Sequence, residues 1–130
     1  MRNLNVVCAV IRNGKRIFAT QRGYGEFKDG WEFPGGKIEP GEGPRQALKR
    51  EIREELATEV EVGDLIDQVE FDYSDFHLSM RCYWCSIISG ELTLLEAEAS
   101  KWLLPDELPS LNWLPADRQL IEKLVAEGIK

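Results

Sequence analysis

The sequence predicts an α/β fold in which a mixed sheet lies between helices. Three observations point to it: runs rich in β-branched and aromatic residues, an Asn13-Gly14 turn between the first two runs, and a closing stretch whose apolar residues recur at helical spacing. Residues 4–11 and 16–21 read as a hairpin, because Asn-Gly supplies the positive φ angles that a tight hairpin turn needs. The glycine-rich turn Trp31-Glu32-Phe33-Pro34-Gly35-Gly36-Lys37 follows, and then a helix with Pro44 at a suitable first position. Residues 60–73 and 77–88 read as a longer antiparallel pair, and 100–104 as a short strand. A closing helix, 115–127, carries Leu120, Ile121, Leu124 and Val125 on one stripe, with Pro115 near its start and Gly128 just past its end.

With 130 residues, 43% of them hydrophobic, and no linker, repeat or biased segment, residues 1–130 are expected to form one domain with a real core. No run approaches the roughly 20 apolar residues that span a bilayer, and the N-terminus leads straight into a strand pattern in place of a signal peptide. The expectation is a cytoplasmic monomer or homodimer with no membrane partner. Acidic residues number 23 against 16 basic, and the net charge of -7 opposes binding to a nucleic-acid polymer. A polyphosphate substrate would therefore need a metal to bridge the negative partners. Cys82 and Cys85 have CxxC spacing but lie in a strand-like run, where positions three apart face opposite sides, and a total of three cysteines argues against a disulfide framework. His77, the only histidine, cannot build a histidine-rich metal site and is assigned no catalytic role.

The helix after Pro44 carries the chemistry. At helical spacing Glu51, Glu54 and Glu55 fall within an arc of roughly 100° and form one acidic edge. Like charges three and four residues apart destabilise a helix by a few tenths of a kcal/mol per pair, so a cation is expected against them. Magnesium or manganese suits the set, since both take oxygen ligands and share them with waters and substrate phosphates. A solvated acidic face would show the same run, and the surrounding residues decide between the two readings. Gly36, five intervening residues, Glu42, seven more, Arg50-Glu51-Ile52, one more, then Glu54-Glu55 is a fixed pattern. It resembles the signature of the Nudix hydrolase superfamily. The agreement ends at Ala57 and Thr58, where the family usually has Gly and an aliphatic residue. Should Ala57 adopt the positive φ of that Gly, it costs about 1 kcal/mol.

The resemblance implies an α/β/α sandwich with the signature as loop and helix beside the sheet. It also implies magnesium-dependent hydrolysis, with manganese as a substitute, of a nucleoside triphosphate to the monophosphate and pyrophosphate. Further stretches look like the MutT type of the family: Gln21-Arg22, where such enzymes place a phosphate-contacting Arg; the 31–37 turn; and Leu114-Pro115-Ala116-Asp117, their base-contacting segment. By the same resemblance the metal set comprises Glu51, Glu54, Glu55, the Gly36 carbonyl and a distant carboxylate, Glu96 with Glu98 as its competitor. Glu54 is the first choice as general base, a role that moves between carboxylates in this family. Arg50 and Glu42 act as organisers, Arg50 through forked hydrogen bonds. Substrate contacts fall to Arg22, Glu32, Lys37, Tyr73, Leu78 and Asp117. Plain structural alternatives stand beside these roles. Arg22 and Lys37 can be surface charges, Glu96 part of a solvated loop, and Asp117 a first-turn acid favoured by the helix dipole. Tyr73, Phe76 and Leu78 can be core or rim packing.

An 8-oxo-dGTP diphosphatase that sanitises the nucleotide pool is the leading expectation, with a CTP or dCTP pyrophosphohydrolase as the alternative. An ionised Asp117 only accepts hydrogen bonds and favours an exocyclic amine, whereas a protonated one also donates and admits an oxidised purine. Dinucleoside polyphosphates, nucleotide sugars and capped RNA usually need recognition elements for which this length leaves little room. A P-loop is excluded, because the glycine spacing before Lys37 is off by one and Ile38 follows where Ser or Thr is required. A catalytically inactive Nudix-like nucleotide-binding module is the other class. Such modules typically lose the signature carboxylates, all of which are present here.

Overall fold

The protein is described by a computed structural model covering residues 2–127, so the Gly128 stop signal lies outside the described residues. β1 (Arg2–Asn13) and β2 (Arg16–Gln21) form the expected hairpin, but its turn sits one residue later than expected. Asn13 pairs with Arg16, and Gly14-Lys15 are the central residues. Gly14 takes a φ of 61°, so the glycine at the first central position meets the demand for a positive angle. Within the glycine-rich turn lie the short strands β3 (Trp31–Glu32) and β4 (Gly35–Lys37). α1 (Pro44–Leu56), β5 (Glu59–Asp72), β6 (Phe76–Ser89), β7 (Ala99–Leu103) and α2 (Pro115–Glu127) fall on the expected stretches, with a 3-10 turn at Pro105–Ser110 before α2.

The strands run in the order β3-β2-β1-β6-β5, with β4 also pairing to β1 and β7 to β2. β1 and β6 are parallel from Arg2↔Phe76 to Ile11↔Cys85, while the β1–β2, β1–β4 and β5–β6 pairs are antiparallel, so the sheet is mixed. Side chains alternate across it, as strand geometry requires. Val7, Ala9 and Ile11 pack with Ala47, Leu48, Ile52 and Leu56 of α1. Cys8 and Val10 pack on the other face with Leu120, Ile121 and Leu124 of α2. The result is the expected α/β/α sandwich. Cys82 belongs to the α2-side core and Cys85 to the α1-side core, so the CxxC pair is split between faces, and both thiols are free. Val125 departs from the expected apolar stripe. It is 50% exposed, because at about 100° per residue it lies roughly 90° around the helix from the middle of the stripe that Leu120, Ile121 and Leu124 form. Among the described residues no helix is long and apolar enough to cross a membrane.

α1 ends as the departure from the family signature made it matter. Ala57 adopts φ 51° and ψ 40°, and its N–H donates to the Arg53 carbonyl at 3.0 Å. A left-handed conformation crowds Cβ against the backbone. Ala57→Gly is therefore expected to stabilise the protein by about 0.5–1 kcal/mol. Paired urea melts would show a higher midpoint at unchanged slope, and an unchanged or lower midpoint would refute the expectation.

Candidate active site

α1 lies against β4, where Gly36 leaves room for the α1 carboxylates while Gly35 lets β4 close on β1. The Gly35 N–H donates to Glu55 at 3.3 Å. A Cβ on Gly36 would stand 2.4 Å from the Glu51 carboxylate, so Glu51 reaches this backbone only because Gly36 has no side chain. Arg50 holds the carboxylates in order. Its Nε and Nη2 donate to the two Glu42 oxygens at 2.7 and 2.9 Å, its Nη1 to Glu51 at 2.9 Å and Glu54 at 3.1 Å, and its Nη2 also to the Lys37 carbonyl at 3.0 Å.

The acidic edge is thus divided. Arg50 supplies a cation to Glu51 and to the exposed Glu54, but not to Glu55. Burial pushes the Glu55 carboxyl up to about 8, repulsion from Glu51, Glu96 and Glu32 adds to it, and the Gly35 hydrogen bond opposes. Burial also raises Glu51, against the pull of Arg50. Of the two candidates for the distant carboxylate, Glu96 lines the same cavity as Glu55. Glu98 is turned to Lys28, at 3.6 Å. Among the described residues no three acidic, imidazole or thiol side chains stand as a ready-made ion cage. The donor chemistry nevertheless fits a hard cation, because Glu55 is a half-buried acid whose charged neighbours Glu51, Glu96 and Glu32 are all negative.

Two cavities adjoin. One, of about 340 Å³, is acidic and contains Glu55 and Glu96. The other, of about 370 Å³, is walled by Leu4, Tyr73, Phe76, Leu78 and Leu114 and has Asp117 among its lining residues. They share Arg22, Glu26, Glu32, Phe33 and Gly35. On this partition Arg22 donates from Nε and Nη2 to the two oxygens of Glu32, at 3.0 and 2.7 Å, and from Nη1 to the Glu26 carbonyl at 3.2 Å. Arg22 is therefore a half-buried fork and not a loose surface charge.

Asp117 is buried in the first turn of α2 and accepts a hydrogen bond from the Phe33 N–H at 3.0 Å. Burial pushes its carboxyl up to about 7, and Glu32 adds to the rise, while the Phe33 bond and Arg22 oppose it. Tyr73 stacks on Phe76 with ring centroids 4.9 Å apart, and its hydroxyl accepts from the Ala116 N–H at 3.3 Å. Leu78 lies in the same wall and Lys37 is an exposed lining residue. His77 lies outside both cavities, between Asp72 at 2.6 Å and Glu70 at 3.0 Å. Sequence reasoning missed Phe27 and Leu4. The available signal for Phe27 was an aromatic residue standing among charges in a loop bounded by Gly25 and Gly30.

Residues 1–124 match the pattern of the NUDIX domain. The chain is 35% identical to the CTP pyrophosphohydrolase of Escherichia coli (strain K12) over 127 residues, covering 97% of this chain and 94% of that protein. It is 34% identical to an 8-oxo-dGTP diphosphatase of Haemophilus influenzae over 126 residues, covering 95% of this chain and 93% of the relative. Its backbone is similar to the crystal structure of a MutT NUDIX hydrolase from Burkholderia pseudomallei, with a TM-score of 0.87 at 27% identity, over 95% of this chain and 99% of that one. Agreement of this breadth extends well past the carboxylates of α1, and the chain belongs to the Nudix family of hydrolases.

Proposed function

We propose that the chain is a single catalytic domain, residues 1–130, that acts in the cytoplasm. It hydrolyses a (deoxy)nucleoside triphosphate to the monophosphate and pyrophosphate with magnesium or manganese, and prefers 8-oxo-dGTP. The supporting observation is the meeting of an acidic and an apolar cavity at Arg22 and Glu32. A nucleotide laid across that partition has its phosphates beside the carboxylates and its base against Tyr73, Leu78 and Asp117.

Glu51, Glu54, Glu55, Glu96 and the Gly36 carbonyl would hold the metal, which when bound neutralises phosphate charge and acidifies water. Arg22 exchanges a Glu32 oxygen for a phosphate oxygen, since its fork suits either anion. Lys37 adds a positive charge at the rim. Arg50 keeps Glu51 and Glu54 aimed. Glu54 accepts a proton from the attacking water as the new phosphorus–oxygen bond forms. The bond bridging the α and β phosphates then breaks, releasing the monophosphate and pyrophosphate.

Asp117 decides the base. Raised to about 7, it carries a proton in much of the population at neutral pH and so presents a donor and an acceptor together. That supports an oxidised purine. The ionised form, which only accepts, supports the second reading, CTP or dCTP, as does the similarity to the E. coli CTP pyrophosphohydrolase.

Pyrophosphate release from 8-oxo-dGTP, dGTP, CTP and dCTP tests the proposal, with kcat/KM followed from pH 6 to 8.5. The ratio of 8-oxo-dGTP to dCTP is expected to fall about tenfold over that range in the wild type, and to be flat in Asp117→Asn. A dominant turnover of CTP or dCTP would establish the second reading. A folded protein that cleaves no nucleoside triphosphate would remove the triphosphate reading and leave a different diphosphate substrate or a binding module.

A further inference from the structure

Phe27 is a large apolar residue left 40% exposed, on a loop that is tied down at many points. The Arg22 N–H donates to the Gly30 carbonyl at 2.9 Å, the Asp29 N–H to the Arg22 carbonyl at 2.8 Å, and the Gly30 N–H to the Phe27 carbonyl at 2.9 Å. Gln21 Nε2 adds a bond to the Asp29 carbonyl at 3.0 Å. Within this cage Phe27 and Asp29 have φ angles of 64° and 73°, a left-handed conformation that side chains other than glycine rarely adopt. Unfavourable backbone persists where the surroundings over-determine it, and it gathers at ligand-binding sites.

The strain has a visible product. It leaves the Phe27 ring on the apolar cavity, 5.7 Å from the Tyr73 ring at an interplanar angle of 59°. Two rings so inclined cannot both lie flat on one planar ligand. A base in the cavity meets one ring face-on and the other edge-on, the two arrangements that aromatic quadrupoles favour. Phe33 and Trp113 use up their stacking on each other at 4.9 Å, and Phe71 leans on Tyr73 at 4.8 Å, whereas the exposed part of Phe27 is available to a ligand.

We propose that Phe27 is a specificity-determining residue which stacks on the nucleobase and completes the base cavity from the 23–30 loop. The inference rests on the nucleotide reading above. A fused purine ring overlaps Phe27 more fully than a pyrimidine does, so the residue biases the cavity toward purines.

The test compares wild type, Phe27→Ala and Phe27→Trp on purine and pyrimidine triphosphates and on base-free ribose 5-triphosphate. Phe27→Ala is expected to raise KM for purine triphosphates about tenfold, and less for pyrimidines, with kcat little changed. It should leave ribose 5-triphosphate hydrolysis unaltered, and Phe27→Trp should restore the low KM. A purely structural role would slow all substrates alike, the base-free one included, and that result or an unchanged KM would overturn the proposal. Calorimetric binding of nucleoside 5′-monophosphates separates this inference from the hydrolase reading. A wild type that cleaves no triphosphate defeats the latter alone, while equal monophosphate affinity of wild type and Phe27→Ala defeats the former.

Discussion

Glu55→Gln is expected to lower kcat by about three orders of magnitude or more while making the metal-free protein more stable. The two effects have one cause. Burial and the negative neighbours Glu51, Glu96 and Glu32 raise the folded carboxyl to about 8, above its ordinary value of 4.5. A group raised on folding contributes stability that is full below the unfolded value and is lost as pH climbs through the folded one. Metal-free wild type should thus lose on the order of 2 kcal/mol between pH 5 and 8 through this side chain. Glutamine has the same shape, keeps an acceptor for the Gly35 N–H and carries no charge. Melts in chelator from pH 5 to 8.5 should therefore show a steeper loss of stability with pH in the wild type than in the variant, which keeps only the part due to other raised groups such as Asp117 and Glu51. Adding magnesium should raise the wild-type Tm and move the variant little. A variant that melts below wild type at pH 8, or keeps a tenth of its turnover, would contradict the role of Glu55.

Gly35→Ala should be the most damaging substitution to the fold. A Cβ there would lie 2.0 Å from the Val7 carbonyl oxygen and 2.8 Å from the Cys8 Cα, and both are backbone atoms of β1. No rotamer relieves such a contact, so β4 must lift from β1 and give up the pairings Val7↔Gly36 and Cys8↔Gly35. The expected loss is about 4 kcal/mol, a large fraction of the roughly 5–15 kcal/mol that holds a typical domain folded. The neighbouring substitution makes the contrast. Gly36→Ala meets the Glu51 carboxylate, at 2.4 Å, which can swing aside. Its Tm should hold within a few degrees while kcat drops about a hundredfold. Urea melts and turnover on both variants check this. A Gly35→Ala protein within 1 kcal/mol of wild type would show that β4 does not need its close approach.

Both helices were legible because periodicity and a leading proline, Pro44 or Pro115, agreed with each other. β3 and β4 were hidden, being two and three residues long and held by tertiary pairing to β2 and β1 rather than by local preference. The hairpin turn was misplaced by one residue because both Asn13-Gly14 and Gly14-Lys15 satisfy local turn chemistry, and only the register Asn13↔Arg16 selects between them. In the site, the signature carboxylates could be read because one helix presents them at fixed spacing. What covers a residue could not. The burial that raises Glu55 and Asp117, the pairing of Glu98 with Lys28 that separates it from Glu96, and the position of Phe27 beside Tyr73 all depend on segments distant in the chain.

β1 also sets an order of events. It runs beside β6, yet Arg2 and Phe76, the first of the paired residues, stand more than half the chain apart. Contacts so distant in sequence form slowly, because a long loop must close before they bring any reward. On the ribosome, residues 12–13 can zip locally with β2 and residues 6–8 with β4, but the apolar run 6–11 waits unpaired on its other edge until residues 80–85 have been translated. An edge of this kind recruits neighbouring chains during synthesis. Slower growth or lower temperature at expression should therefore raise the soluble yield without any change in the stability of the finished protein, since the vulnerable species is the half-made polypeptide.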